Sequence, residues 1–281
     1  MLVHNIEDVR IAVFPTVSDL IATFDGREPN YVSADSTWSG AASNQQAIEI
    51  LRNGWTHGRQ TVDRVAGRLE SSLQQVAKDL VQEMTYDVAG AYPDMGRFFE
   101  GEPECMVQFV PTDDVTVGQV TRILVDCGAS QRYSADWMTE RAAAIAALVQ
   151  VLSMVGKSVE IWVASPVTFS ANDKKQDTLV CVHQAGQTVN VDSIAFALGH
   201  PAMLRRLIFD VRCDDTMSYG ADVATRSGLG RTCEHLQETI DYVKPHVVIQ
   251  RVENSKPGVP DPVSNPLEWV KHHLHELGLL S

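Results

Sequence analysis

The spacing of apolar residues changes character along the chain. Over the first hundred or so residues it is mostly helical. In "NQQAIEILRNGW" the apolar positions Ala47, Ile48, Leu51 and Trp55 recur at helical spacing, and Asn53-Gly54 supplies a stop. A second helix is expected from about Thr61 to Glu83. There Val62, Val65, Leu69, Leu73, Val76, Leu80 and Met84 step by three and four. Ahead of these, "VRIAVFPTVSDLIATFD" holds a short strand or helix interrupted at Pro15, and "DGREPNYVSADSTWSG" is turn-rich. "DVAGAYPDMGRFFEGEPECMVQF" reads as a loop, a helical turn at "DMGRFFEG" and a strand entering "CMVQFVP".

From Thr116 short apolar runs alternate with longer helical stretches. "VTRILVDC" is nearly continuous in apolar residues, as for a strand covered on both faces. "SADWMTERAAAIAALVQVLSMVG" is a helix with Ser134 or Asp136 as cap and Gly156 as stop. "KSVEIWVASPV" and "DTLVCVHQAG" are strands, and the short loop between them permits an antiparallel pair. "VDSIAFALG" is a short helix capped by Asp192, and "PAMLRRLIFDVRC" turns from helix into strand. "GRTCEHLQETIDYV" is a helix, "HVVIQRVEN" a strand and "NPLEWVKHHLHELGLL" a closing helix. The alternation predicts an α/β fold with a doubly wound, mostly parallel sheet. We divide the chain into a mainly helical N-terminal region, residues 1–112, and an α/β domain, residues 113–281.

Composition narrows the function classes. With 23 Lys+Arg against 36 Asp+Glu the net charge is −13, which argues against nucleic acid and suits basic or protein partners. The five cysteines are widely spaced, with no C-x-x-C pair, so neither a disulfide framework nor a zinc knuckle is expected; a cytoplasmic location fits best. No apolar run approaches about 20 residues, so no membrane span is expected, and the N-terminus lacks the pattern of a secretion signal.

The chemistry concentrates at "LVDCGAS", an Asp-x-Gly-x-Ser sequence where a buried strand stops. Asp126 can hold a metal ion there or brace a turn, with Gly128 permitting a positive φ. This stretch, the alanine-rich helix after it and "KSVEIWV" resemble the opening of von Willebrand factor A-type domains, over about residues 116–252. The resemblance implies a doubly wound sheet with Mg²⁺ at the strand tips, Asp126 and Ser130 being the matching ligands. Gly128 stands where that family has a first serine. No clear second-loop threonine appears among Thr168, Thr188 and Thr225, and no strand ends in Asp-Gly. The resemblance also implies a non-enzymatic protein-binding or assembly module, of the kind that serves as an adaptor to a ring-shaped ATPase. Asp126, Gly128 and Ser130 would then line the partner surface. "DVAGAYPDMGRFFEGEPECM" and "FALGHPAMLRRLIFDV" are similar to bacteriophage proteins of unknown role, which implies host cytoplasm or a virion component. No cofactor other than Mg²⁺ is implied.

Four other constellations stand beside this one. Cys127, at a strand end before a helix, could be a nucleophile if His183, His200 or His235 served as its base; otherwise it is a small packing residue. His272 and His275 share a helix face with His273 beside them, but His-Glu-x-x-His is absent and a solvated face suits the helix dipole. Arg205 and Arg206 could grip an acidic partner or phosphate, or form surface ion pairs, and "SGLGRT" lacks the lysine and spacing of a phosphate loop.

Overall fold

The computed structural model describes residues 1–33, 35–80, 84–88, 92–93, 95–109, 120–129, 133–169, 173–187, 190–217, 229–251 and 257–280. Its main sheet runs in the order β1 (Leu2–Ile6), β2 (Val9–Phe14), β9 (Lys174–His183), β7 (Ser158–Ala164), β6 (Val120–Asp126), β11 (Val247–Ile249). Strand β8 (Val167–Phe169) pairs with β9 and with β10 (Arg231–Thr232). The sheet is mixed. Along the main path β2–β9, β7–β6 and β6–β11 are parallel, while β1–β2 and β9–β7 are antiparallel. The antiparallel pair permitted by the short loop after β7 is therefore present.

Strand parity explains the layers. Ile123 and Val125 of β6, Ile161 and Val163 of β7, and Val180 and Val182 of β9 face one core. Helices α6 (Ala135–Met154), α7 (Val191–Gly199) and α10 (Pro266–Glu276) cover that side. Leu124, Trp162, Leu179 and Cys181 face the other side, beneath Leu236 and Val243, which bracket α9 (Gln237–Val243). Burial on both faces is why these strands read as unbroken apolar runs. Helix α6 is buried almost all round, and its alanines allow close approach: a Cβ on Gly199 of α7 would sit 2.9 Å from the Ala142 Cβ. Ser134 caps α6 by accepting from the Trp137 N–H, and Gly156 follows it with φ +76°. Helix α7 is capped by Asn190 rather than Asp192, which lies in its first turn.

The N-terminal residues differ from the expected helical region. They hold helices α1 (Val17–Ala22), α2 (Ser36–Ser39), α3 (Asn44–Asn53) and α4 (Thr56–Leu80), but β1 and β2 open the chain and β2 is an inner strand of the main sheet. Residues on either side of position 112 thus share one sheet and one core. The helix expected from about Thr61 to Glu83 is described over Thr56–Leu80, residues 81–83 lying outside the described residues, and Met84 belongs to a separate small sheet of β3 (Met84–Asp87), β5 (Met106–Phe109) and β4 (Tyr92–Pro93). This small sheet carries helix α5 (Met95–Phe99).

The segment read as helix-into-strand is helical throughout. Helix α8 is π-helical over Met203–Ile208 and α-helical over Phe209–Arg212. "LIFDV" is short enough to suit either state by periodicity alone. Asp210 is fully buried there, held by Arg27 and by the Tyr31 N–H at 3.0 Å. No helix among the described residues is long and apolar enough to cross a membrane.

Candidate functional site at the strand tips

Strand β6 lies between β7, which follows it through α6, and β11 on its other side. The carboxyl end of such a strand is where open α/β sheets place ligands. Asp126 ends β6, and its Oδ1 accepts the Gly128 N–H at 2.7 Å. Its Oδ2 is buried with no hydrogen-bond partner. Gly128 does not have the positive φ expected of it. Its constraint is space: a Cβ there would lie 2.8 Å from Asp126 Oδ1 and 3.4 Å from Thr232 Cγ2. Gly128→Ala is therefore expected to cost about 1–3 kcal/mol through overpacking, read as a lower urea midpoint at unchanged slope.

Around Asp126 the fold gathers buried polar groups from distant elements. Arg141 of α6 donates to the carbonyls of Asp126 (3.0 Å) and Gln250 (3.1 Å), tying the tip of β6 to that of β11. Arg251 donates to the Thr232 carbonyl at 3.2 Å. Asp177 of β9 accepts the Ser165 N–H at 2.8 Å and the Thr239 hydroxyl at 2.7 Å. Arg212 of α8 donates to Ser165 O (3.0 Å), Ser165 Oγ (2.8 Å) and Leu229 O (2.9 Å). All three guanidinium side chains and both carboxyls are buried.

Burial dominates the electrostatics. It pushes Asp126 up to about 7, against the pull of the Gly128 hydrogen bond and of Arg141 and Arg251, with Asp177 adding to the rise. Asp177 is raised to about 6 by burial, partly offset by its hydrogen bonds and by Arg212. Burial, then Asp126, drives the Cys127 thiol far above its ordinary range. The nucleophile reading of Cys127 is thereby corrected: thiolate formation needs an exposed, electropositive setting, and this thiol is 3% exposed beside a carboxyl.

The other residues singled out in the sequence separate as follows. Ser130, Thr188 and Thr225 lie outside the described residues, and Thr168 pairs in β8. Of the three histidines, His235 alone shares Arg141 and Arg251 as charged neighbours with Asp126, and burial lowers it to about 4. His200 packs on Phe196 and Trp55 and accepts the Ala202 N–H, so its role is in the core. His183 is buried in β9. Arg205 and Arg206 are buried rather than displayed to a partner. Arg206 holds Ser33 O (3.1 Å), Ala41 O (3.0 Å) and Ser39 Oγ (3.2 Å), while Arg205 stacks over Trp38 and donates to its carbonyl. His272 gathers with His273 and Glu276, and it lines a surface pocket together with His275.

Of the Mg²⁺ set implied by the resemblance, the described residues place Asp126 alone at the tip; Ser130 lies outside them. Mg²⁺ needs hard oxygen donors in near-octahedral array. Here one carboxyl faces two guanidinium groups, Gly128 offers no hydroxyl, and no trio of His, Cys, Asp or Glu converges at Asp126 among the described residues. Asp126 is also 1% exposed, so its carboxyl underlies the tip instead of lining a partner surface. Arg141, Asp177, Arg212 and Thr239 were missed from sequence. Arg141 alone left a signal there, as a charged residue inside the run "TERAAAIAALV".

Fold and site together define an α/β protein whose strand tips are closed by a buried acid–guanidinium cluster. The chain belongs to the family described as Domain of unknown function (DUF7192), whose model matches residues 4–281. No curated protein and no solved structure gives a significant match.

Proposed function

We propose that the chain is a non-enzymatic protein-binding or assembly module that engages its partner through Phe98 and Phe99. The observation that carries this reading is their exposure, 56% and 78%, on a helix that is itself held in place. Arg97 of α5 pairs with Glu102, donates to Glu104 O at 3.2 Å and lies 4.0 Å over the Tyr86 ring of β3. The two phenylalanine rings meet edge to face at 5.9 Å. Glu100, Glu102 and Glu104 are exposed beside them. Large apolar groups fixed at a surface and rimmed by one sign of charge suit a partner with an apolar cleft and a basic rim.

A von Willebrand A-type relationship belongs to this reading. It is supported by the aspartate at the tip of β6, the alanine-rich α6 and the antiparallel β9 beside β7. An adaptor docking on a ring-shaped ATPase or on a phage particle is a role such a surface serves. Among the described residues the strand tips offer no activated nucleophile with a base, which suits a binding role.

Burying two phenylalanine side chains is worth about 3–6 kcal/mol, or roughly 10²- to 10⁴-fold in Kd. Proteins retained by the wild-type chain are compared with those retained by Phe98→Ser/Phe99→Ser. The expected result is a partner lost from the double variant at least 100-fold, with the Tm unchanged. A partner held equally by both chains, or no specific retention at all, defeats the reading.

A further inference from the structure

We infer that His272, His273 and Glu276 of α10 form a Zn²⁺ site, of which His273 and Glu276 line the cleft between α10 and the edge strand β11. The inference is independent of partner binding through Phe98 and Phe99.

The geometry starts from helix spacing. Residues three and four apart on a helix are neighbours, so Glu276 is reached from His272 at i,i+4 and from His273 at i,i+3. Glu276 Oε2 lies 2.6 Å from His273 Nδ1, and Oε1 lies 3.7 Å from His272 Nε2. The three donor atoms all fall within 4.8 Å of one another. Among the described residues no other trio of His, Cys, Asp or Glu converges in this way.

Two further observations point to a ligand. His272 Nε2 is buried yet makes no hydrogen bond. The Oε1 atom of Gln250 is likewise buried without a partner, and Gln250 lines the same cleft as His273 and Glu276. That cleft encloses about 310 Å³ and is also lined by His246, Val248 and Trp269. The His273 ring is fixed against Trp269, at 4.3 Å between centroids and 71° between planes. One donor is thus held in place while Glu276, the most exposed of the three, can adjust.

The donor chemistry selects the ion. Two imidazoles and one carboxylate suit Zn²⁺, and they leave a fourth, tetrahedral position for water or an oxygen donor from the cleft. Ligands at about 2.0–2.1 Å from Zn²⁺ stand roughly 3.3 Å apart in a tetrahedron. The His273–Glu276 contact at 2.6 Å must therefore open by a rotation of the Glu276 carboxylate. A metal on Nδ1 leaves the hydrogen of the neutral imidazole on Nε2.

The test uses the full chain, reduced and stripped with chelator, titrated with Zn²⁺ by calorimetry and with Co²⁺ by visible absorption. The expected result is one equivalent of Zn²⁺ and the intense d–d bands of four-coordinate Co²⁺. Binding should weaken at least tenfold in both His272→Ala and Glu276→Gln and stay unchanged in His275→Ala. His272 and Glu276 have side chains 31% and 42% exposed, so both variants are expected to fold, checked by circular dichroism. Three outcomes overturn the assignment: no wild-type binding tighter than millimolar, binding as tight as the wild type in either ligand variant, or a thiolate-to-cobalt charge-transfer band that places the metal on the cysteines instead.

Discussion

Asp126→Asn is expected to gain stability over the wild type as pH rises, with the gap between them growing by about 2–3 kcal/mol from pH 5 to pH 8. Burial raises the folded Asp126 carboxyl from 3.8 to about 7. A carboxyl raised on folding binds more protons in the native state than in the unfolded chain. Stability is then fully present below about 4, falls as pH climbs between the two values, and is fully lost above about 7. A three-unit shift corresponds to about 4 kcal/mol in all. Asparagine keeps an oxygen to accept the Gly128 N–H and carries no charge to desolvate. Asp177, raised to about 6, leaves a residual slope in the variant over the lower part of the same window. Urea unfolding of both chains at several pH values reads this directly. A gap that does not change with pH shows that Asp126 titrates in the folded protein as it does in the unfolded chain.

Arg141→Met is expected to cost about 3 kcal/mol at pH 8. Methionine fills a similar volume but leaves the carbonyls of Asp126 and Gln250 without the donor that now joins them. Each unsatisfied buried acceptor costs about 1–3 kcal/mol. The guanidinium also offsets part of the burial cost of the Asp126 charge, so its loss is felt most when that carboxyl is ionised. In the Asp126→Asn background the same substitution should cost less, by about 1 kcal/mol or more in a double-mutant cycle. Equal costs in the two backgrounds would show that Arg141 acts only through the backbone. A loss under about 1 kcal/mol in the wild-type background would show that water replaces it.

The sequence made the strand-tip site half legible. "VTRILVDC" showed an apolar strand ending in an acid because burial on both faces leaves no polar alternation. The partners of that acid were hidden because they come from far along the chain. Asp177 sits in a strand that is continued by "TLVCV" and shows no local motif. Arg212 follows a π-helical segment that reads equally well as a strand. Arg205 and Arg206 look like surface charge in sequence, but their acceptors, mostly main-chain carbonyls, lie over 160 positions earlier, which no pattern can reveal. Gly128 was read as a conformational glycine, yet its constraint is the oxygen of a neighbouring side chain. In α10 the histidines were paired by face, as His272 with His275. The observed cluster depends on Glu276, one turn beyond His272 and one residue past that pair.

The parallel pairing of β2 with β9 also bears on how the chain is made. Val9 sits opposite Lys175 and Phe14 opposite Val180, so an inner strand of the sheet is synthesised long before its neighbour. At about 5–20 residues per second, β2 waits on the order of ten to thirty seconds after leaving the ribosome before β9 exists to receive it. Through that interval Ile11, Val13 and Phe14, all buried in the finished protein, have no sheet to enter. The local hairpin with β1 covers one edge of β2 meanwhile, with Ile6 opposite Val9 across a tight turn. Beyond its pairing in the finished sheet, β1 would then shield a nascent strand until the rest of the sheet arrives.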